Sequence, residues 1–213
     1  MVNILINGNV SNCNGNPYFV GKPLDWSTYV GSGAIIDWGS SNTEYTSPLC
    51  SAYITGQSVD YTTFSNLNIS LIAGNSNGYT GPNAYNVIAG NTYYLEFQIK
   101  HNFDQIIIPP RILYIMPRIT YWTSINALQS ERKTYNLKLP SDANFYIPNT
   151  NGLWVKYSTT FIMPSDAVKA VLGFNIYANY PLGEIKNGTC YIDDVILDDN
   201  VVCPPIVCNL NVL

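Results

Sequence analysis

The sequence predicts an all-β domain, an antiparallel β-sandwich of jelly-roll type. Three observations carry this. Segments of six to eleven residues rich in β-branched and aromatic side chains recur along the chain. Turn-forming clusters separate many of them. No long window shows the i, i+3, i+4 apolar spacing of an amphipathic helix, and Gly, Pro, Asn and Ser interrupt the chain every few residues.

The strands are expected at 51–56 (SAYITG), 64–74 (FSNLNISLIAG), 92–100 (TYYLEFQIK), 112–122 (ILYIMPRITYW), 154–163 (WVKYSTTFIM), 170–178 (AVLGFNIYA) and 190–197 (CYIDDVIL). Breaks fall at GNSNG (74–78), TGPN (80–83), AGN (89–91), NTNG (149–152) and KNG (186–188). Only QSER at 129–132 reads as a short helical turn. Pro117, inside 112–122, has no N–H for a ladder and implies a bulge or an edge position. Residues 1–199 form the sandwich in this reading, and 200–213, with VCPPIVC, form an arm or linker.

Only 11% of residues are charged, so the polar surface must be made mainly of Asn, Ser, Thr and Tyr. With 17 Tyr, 7 Phe and 4 Trp the chain has ample core material and is not a disordered one. A net charge of −4, with ten basic residues that do not cluster, argues against nucleic acid and anionic membranes as partners. No segment reads as a membrane-inserting helix, and MVNILINGNV lacks the basic and apolar regions of a signal peptide. The composition nevertheless looks extracellular. The expectation is therefore a place outside the cell or on a cell, spore or virion surface, either as a piece of a larger secreted protein or after release by lysis or surface assembly.

Hydrolytic chemistry finds little support. Asp193 and Asp194 are adjacent in an alternating strand, so they are expected on opposite faces, where they cannot flank one scissile bond. One should face the interior and needs a partner there, since an unanswered buried carboxylate costs several kcal/mol. Asp198 and Asp199 read as solvated residues at a strand end. His101 is the only histidine, follows a strand end, has no nucleophile motif beside it, and reads as a loop residue.

Several features now stand in a recognisable order: NILINGNV (3–10), KPLDW (22–26), VIAGNTYYLEFQIK (87–100), WVKYSTTFIMP (154–164), AVLGFNIYA and CYIDDVIL. Together they resemble the carbohydrate-binding modules appended to xylanases and β-glucanases, of the galactose-binding-like jelly-roll group. The resemblance implies non-catalytic binding of a polysaccharide or cell-surface glycan. It also implies a structural calcium ion between the first and last strands, with Asn7, Asn9, Asp193 and Asp194 as candidate ligands. Ser11 stands where that family offers an acid, and a site with one carboxylate fewer holds calcium more weakly. The alternative is a metal-free clasp of hydrogen bonds to the aspartates.

The resemblance places Trp26 and Trp154 in the core. Sugar rings stack on flat aromatic faces, so the remaining aromatics are the candidate platforms: Trp38, Tyr114, Trp122, Tyr177 and Tyr180, with Arg118 beside them to pair or stack. Tyr114 and Trp122 share parity, but Pro117 between them leaves their common face open.

A second reading is a structural subunit of an appendage, spore-surface layer, phage tail or crystal, held as a homo-oligomer or filament by strand exchange or disulfides. It draws on the five cysteines, with Cys13, Cys203 and Cys208 as candidates for intermolecular bonds, and on the nearly uncharged C-terminal arm.

Overall fold

The computed structural model describes residues 5, 10, 23, 25–31, 34–46, 50–61, 64–73, 84–103, 106–108, 111–126, 128–138, 144–181, 183–184 and 186–199. Twelve strands run through them: β1 (Ser27–Val30), β2 (Ala34–Ser41), β3 (Ser51–Tyr61), β4 (Phe64–Ala73), β5 (Tyr85–Asn86), β6 (Thr92–His101), β7 (Ile106–Ile108), β8 (Arg111–Trp122), β9 (Lys133–Asn136), β10 (Val155–Ile162), β11 (Lys169–Pro181) and β12 (Asn187–Asp198). A 3-10 turn at Gln129–Glu131 occupies the place of QSER. No helix among the described residues is long and apolar enough to cross a membrane.

The strands build two antiparallel sheets. Sheet A has the order β1-β4-β11-β8-β9, with β5 beside β11 and β7 sharing the outer edge of β8 with β9. Sheet B has the order β2-β3-β12-β6-β10. Strand β3 passes between them: its first part pairs with β2 and β12, and Val59, Asp60 and Tyr61 pair with β4. This is the antiparallel β-sandwich expected from the segment pattern.

Alternation explains the core. In β6 every second residue (Tyr93, Leu95, Phe97, Ile99, His101) is buried, while the residues between are exposed or half-buried. Leu113, Ile115, Ile119 and Tyr121 of β8 and Leu172, Phe174, Ile176, Ala178 and Tyr180 of β11 face them from sheet A. Phe97 and Phe174 meet edge-on across the sheets, with centroids 4.9 Å apart.

Pro117 makes no bulge against β11, whose register runs unbroken from Ile112↔Asn179 to Trp122↔Lys169. It lies at an edge instead. On the other side of β8, β7 pairs with residues 111–113 and β9 with 118–121, so Pro117 falls in the gap where no strand needs its missing N–H. Trp26 is buried in the core as expected.

The arm at 200–213 and Cys13, Cys203 and Cys208 lie outside the described residues. Cys50 is disulfide-bonded. Cys190 is a free thiol, fully buried between the sheets.

Candidate functional site

The two sheets differ in what they turn outward. On sheet A the outward residues come from β4, β11 and β8 in matched rows. Tyr177 is the register partner of Asn68 on one side and Tyr114 on the other, Asn175 of Ser70 and Met116, and Gly173 of Ile72 and Arg118.

At one end of this face the rings of Tyr114 and Tyr177 stack with centroids 5.4 Å apart, and Tyr146 lies 5.1 Å from Tyr114. Tyr146 is carried by a segment that runs along β8, with the Ile147 amide donating to the Ile115 carbonyl at 2.8 Å. All three rings are half-buried. Burial first, then the neighbouring Tyr146 and Tyr177, pushes the Tyr114 phenol above its usual range, so it remains an O–H donor at neutral pH. The floor beside them is polar and fixed: the Ser70 hydroxyl donates to Asn175 Oδ1 at 2.9 Å, and both residues are buried.

Four residues along β8 from Tyr114, about 13 Å at strand rise, Arg118 lines a cavity of about 160 Å³ with Tyr29, Asn68, Thr120, Arg132 and Thr134. Arg132 reaches this place because the segment after β8 folds back over the sheet. Its guanidinium lies 5.4 Å from the centre of the Tyr29 ring. Tyr29 in turn packs on a small apolar cluster of Ile72, Ala84, Trp122 and Val171. Between the tyrosine cluster and the cavity with its two arginines, Ser70, Met116 and Asn175 are buried.

Tyr114, Arg118 and Tyr177 are brought together on this face. The other expected platforms are corrected. Trp122 shares the face of Tyr114, but it is fully buried in the cluster beneath Tyr29, and its indole N–H donates to the Leu128 carbonyl at 3.2 Å. Tyr180 has the opposite parity to Tyr177 and is buried in the main core. Trp38 points inward from β2 and is 7% exposed. None of these three rings offers a face to a ligand. Trp154, expected in the core, is half-buried outside it, with its ring 6.5 Å from that of Tyr191.

Sheet B turns outward a network of mutually satisfied charges. Lys100 pairs with Glu44 at 2.6 Å and Lys156 with Glu96 at 2.7 Å. The Tyr53 hydroxyl donates to Asp37 at 2.9 Å, and Gln98 Nε2 donates to Asp194 Oδ2 at 2.8 Å.

The aspartate pair departs from simple alternation. The β12–β6 register shifts between Asp193 and Ile196, and Asp194 has φ 50°, a left-handed conformation that Asp tolerates better than most residues. This bulge resets the alternation, so neither acid enters the core and both converge on Thr46. Asp193 Oδ2 accepts from the Thr46 amide (2.9 Å) and hydroxyl (3.0 Å), and Asp193 Oδ1 accepts from the Asp194 amide at 2.8 Å. The same hydroxyl lies 3.1 Å from Asp194 Oδ2. Asp193 is fully buried there. These bonds already engage both Asp193 oxygens, and no group of three or more His, Cys, Asp or Glu fit for a metal occurs among the described residues. Asp193, Asp194 and Thr46 form a hydrogen-bonded clasp; Asn7 and Asn9 lie outside the described residues.

No protein-family profile matches the chain, and no curated protein matches it. Solved structures do. The chain is similar to the enzymatically active domain of bacteriophage CBA120 tailspike protein 4, at 14% identity over 92% of this chain and 21% of that one, with a TM-score of 0.51. It is also similar to a family 16 carbohydrate-binding module (14% identity, 92% and 99% covered, TM-score 0.44) and to the CBM22-1 xylan-binding domain from Paenibacillus barcinonensis (9%, 83% and 86%, TM-score 0.43). Several carbohydrate-binding modules are thus among its structural neighbours. The likeness is one of fold, and the chain spans about a fifth of the tailspike chain.

Tyr29, Asn68, Arg132, Thr134 and Tyr146 escape the sequence reading. Each belongs to a short strand, a loop or a strand read only for its apolar positions, and the pairing that assembles them leaves no local signal.

Proposed function

We propose that this chain is a non-catalytic module that binds a polysaccharide along the outer face of sheet A. The observation that carries the reading is the register-matched row of Tyr114 and Tyr177, with Tyr146 against it, three half-buried rings grouped on one face. Rings of this kind meet the apolar face of a sugar, and Asn, Thr and Tyr groups meet its hydroxyls. The described carboxylates give no support to glycoside hydrolysis. Asp193 is fully buried and its oxygens are engaged by Thr46 and the Asp194 amide, which leaves no place for a scissile bond. A site of this kind belongs where polysaccharides are met, outside the cell or on its surface.

The test is affinity electrophoresis through gels cast with a panel of soluble polysaccharides. Wild-type protein should be retarded by at least one, and Tyr177→Ala and Tyr114→Ala should each weaken that retardation about tenfold while remaining folded, since aromatic contacts of this size contribute on the order of 1 kcal/mol. Free migration of the wild type in every gel would reject the reading.

A second reading, a structural subunit of a surface assembly, is favoured by the fold likeness to a tailspike domain and by exposed apolar side chains such as Ile125, Leu128 and Ile162. It predicts thiol-resistant or thiol-sensitive oligomers on gels, where the binding module runs as a monomer.

A further inference from the structure

We infer that β10 is a docking edge for a second copy of this chain, pairing antiparallel with its own counterpart so that the two B sheets continue across a two-fold axis. This rests on the assembly reading and gives it an interface. It leaves the tyrosine face of sheet A open in both copies.

The edges of a sheet carry N–H and C=O groups that invite another strand, and folded proteins blunt them with short strands, outward charges, Pro or bulges. The edge strands of sheet A follow this rule: β1, β7 and β9 are four, three and four residues long. On sheet B, β2 turns the exposed Asp37 outward, where it accepts from Tyr53. Strand β10 (VKYSTTFI) has none of these devices. All eight of its residues pair with β6 in one unbroken register, from Val155↔Ile99 to Ile162↔Thr92, and no described strand lies on its other side. It contains neither Pro nor Gly, and its one charge, Lys156, is paired with Glu96 of β6 at 2.7 Å. Ile162, at its end, is 63% exposed.

The sequence of β10 is complementary to itself when reversed. Opposed residues of antiparallel strands share a face, so a symmetric pairing must be centred on a residue and not between two. Centred on Thr159, it sets Ser158 against Thr160 and Tyr157 against Phe161. Hydroxyl pairs and aromatic pairs of this sort are favourable across strands. Tyr157 is half-buried at the sheet's edge and stacks on Phe97 with centroids 5.7 Å apart, while Phe161 stacks on Tyr93 at 5.9 Å, so the pairing joins the two cores. On the outer side Lys156 falls opposite Ile162, whose exposed side chain the lysine stem covers. The two Lys156 charges stand at opposite ends of the ladder, about 20 Å apart at strand rise, so they do not repel. Leu153, 67% exposed just before β10, is brought toward the Ile162 end of the other copy. An isologous contact of this kind closes at two copies.

The experiment is sedimentation velocity of the full chain from about 1 µM to about 1 mM, with wild type, Thr160→Lys, Thr160→Glu and an equal mixture of the two variants. Thr160 is half-buried on the outer side of an edge strand, and the melting temperature of each variant checks that the fold is kept. Across the axis the two residues at 160 lie about 7–8 Å apart on a diagonal, so like charges there oppose pairing and opposite charges favour it. Wild type should form a dimer in this range, each variant alone should dimerise at least about tenfold more weakly, and the mixture should recover the dimer. Hydrogen exchange in residues 155–162 should slow as the wild-type concentration rises. An oligomer unaffected by both variants, or a mixture that stays monomeric, would overturn this interface and leave the assembly reading standing. A wild type that is monomeric throughout, with its β10 amides either open or covered by residues 200–213 of the same chain, would remove both.

Discussion

Removing the Asp193 carboxylate should be among the most damaging single changes on sheet B. Asp193 is fully buried and accepts at least three hydrogen bonds, from the Thr46 amide at 2.9 Å, the Thr46 hydroxyl at 3.0 Å and the Asp194 amide at 2.8 Å. Hydrogen bonds to a charged group contribute roughly 1.5–3 kcal/mol each. They are not additive, because the loop around Thr46 can relax toward water once released. Asp193→Ala should therefore cost about 3–5 kcal/mol, the range for breaking a buried charged network. Asp193→Asn keeps one acceptor oxygen but sets an NH₂ against an N–H donor, at a cost of about 1–3 kcal/mol. Thr46→Val leaves the amide bond and removes only the hydroxyl, for about 1 kcal/mol. Urea unfolding at pH 7 measures all three, with an unchanged m-value as the sign that the same surface is being exposed. The order Ala, Asn, Val follows from the geometry, and calcium or EDTA should leave the wild-type midpoint where it is. A loss below about 1 kcal/mol in Asp193→Ala, or a wild-type midpoint that drops with EDTA, would refute the hydrogen-bonded clasp.

Three further outcomes follow from other parts of the fold. His101 is buried, its Nε2 lies 2.8 Å from the Pro148 carbonyl, and burial lowers its pKa despite bonds to backbone carbonyls. The folded state thus prefers the neutral ring, so its contribution is full above the unfolded value near about 6.5 and is lost as pH falls toward the lower folded value. The melting temperature should fall between pH 7.5 and 5.5, and His101→Gln should flatten that slope; a profile shared by both proteins would exclude His101 as its source. Gly188→Ala would set a Cβ 2.7 Å from the buried Phe103 ring, so the variant should lose about 1–3 kcal/mol in urea melts. The Cys190 thiol is buried and strongly pushed up by burial, so under native conditions it should react with a thiol reagent only after urea is added.

The long strands were legible because they are rich in β-branched and aromatic residues, and in β6 the buried ones recur at every second position. Seven expected segments correspond to β3, β4, β6, β8, β10, β11 and β12, with ends moved by a few residues. The strands β1, β2, β5, β7 and β9 went unread. Most are two to four residues long, and β2 (AIIDWGSS) ends in small residues that resemble a turn. The common face of Tyr114 and Trp122, left open by Pro117, is decided by the unbroken register of β8 against β11, and no local pattern could show that Ile72, Ala84 and Val171 would bury the indole. The aspartate pair failed for a different reason. Strict alternation assumes a regular strand, and one residue at positive φ is enough to reverse it for everything that follows.

The choice between the two sheet faces rests on how each treats its polar groups. Sheet B answers its own: Lys100 with Glu44, Lys156 with Glu96, Tyr53 with Asp37 and Gln98 with Asp194. A ligand there would have to break pairs already made, and its new bonds would replace old ones with little net gain. Sheet A concentrates its hydrogen-bonding groups on strand positions locked by an eleven-row register between β8 and β11. Tyr114 and Tyr177 hold each other in place, so few rotamers remain to be frozen when a ligand arrives. Ordering such side chains costs about 0.5–1.5 kcal/mol each when it is not already done. A face built this way can bind a weakly interacting, hydroxyl-rich polymer with few contacts, because the protein has ordered its half of the interface in folding.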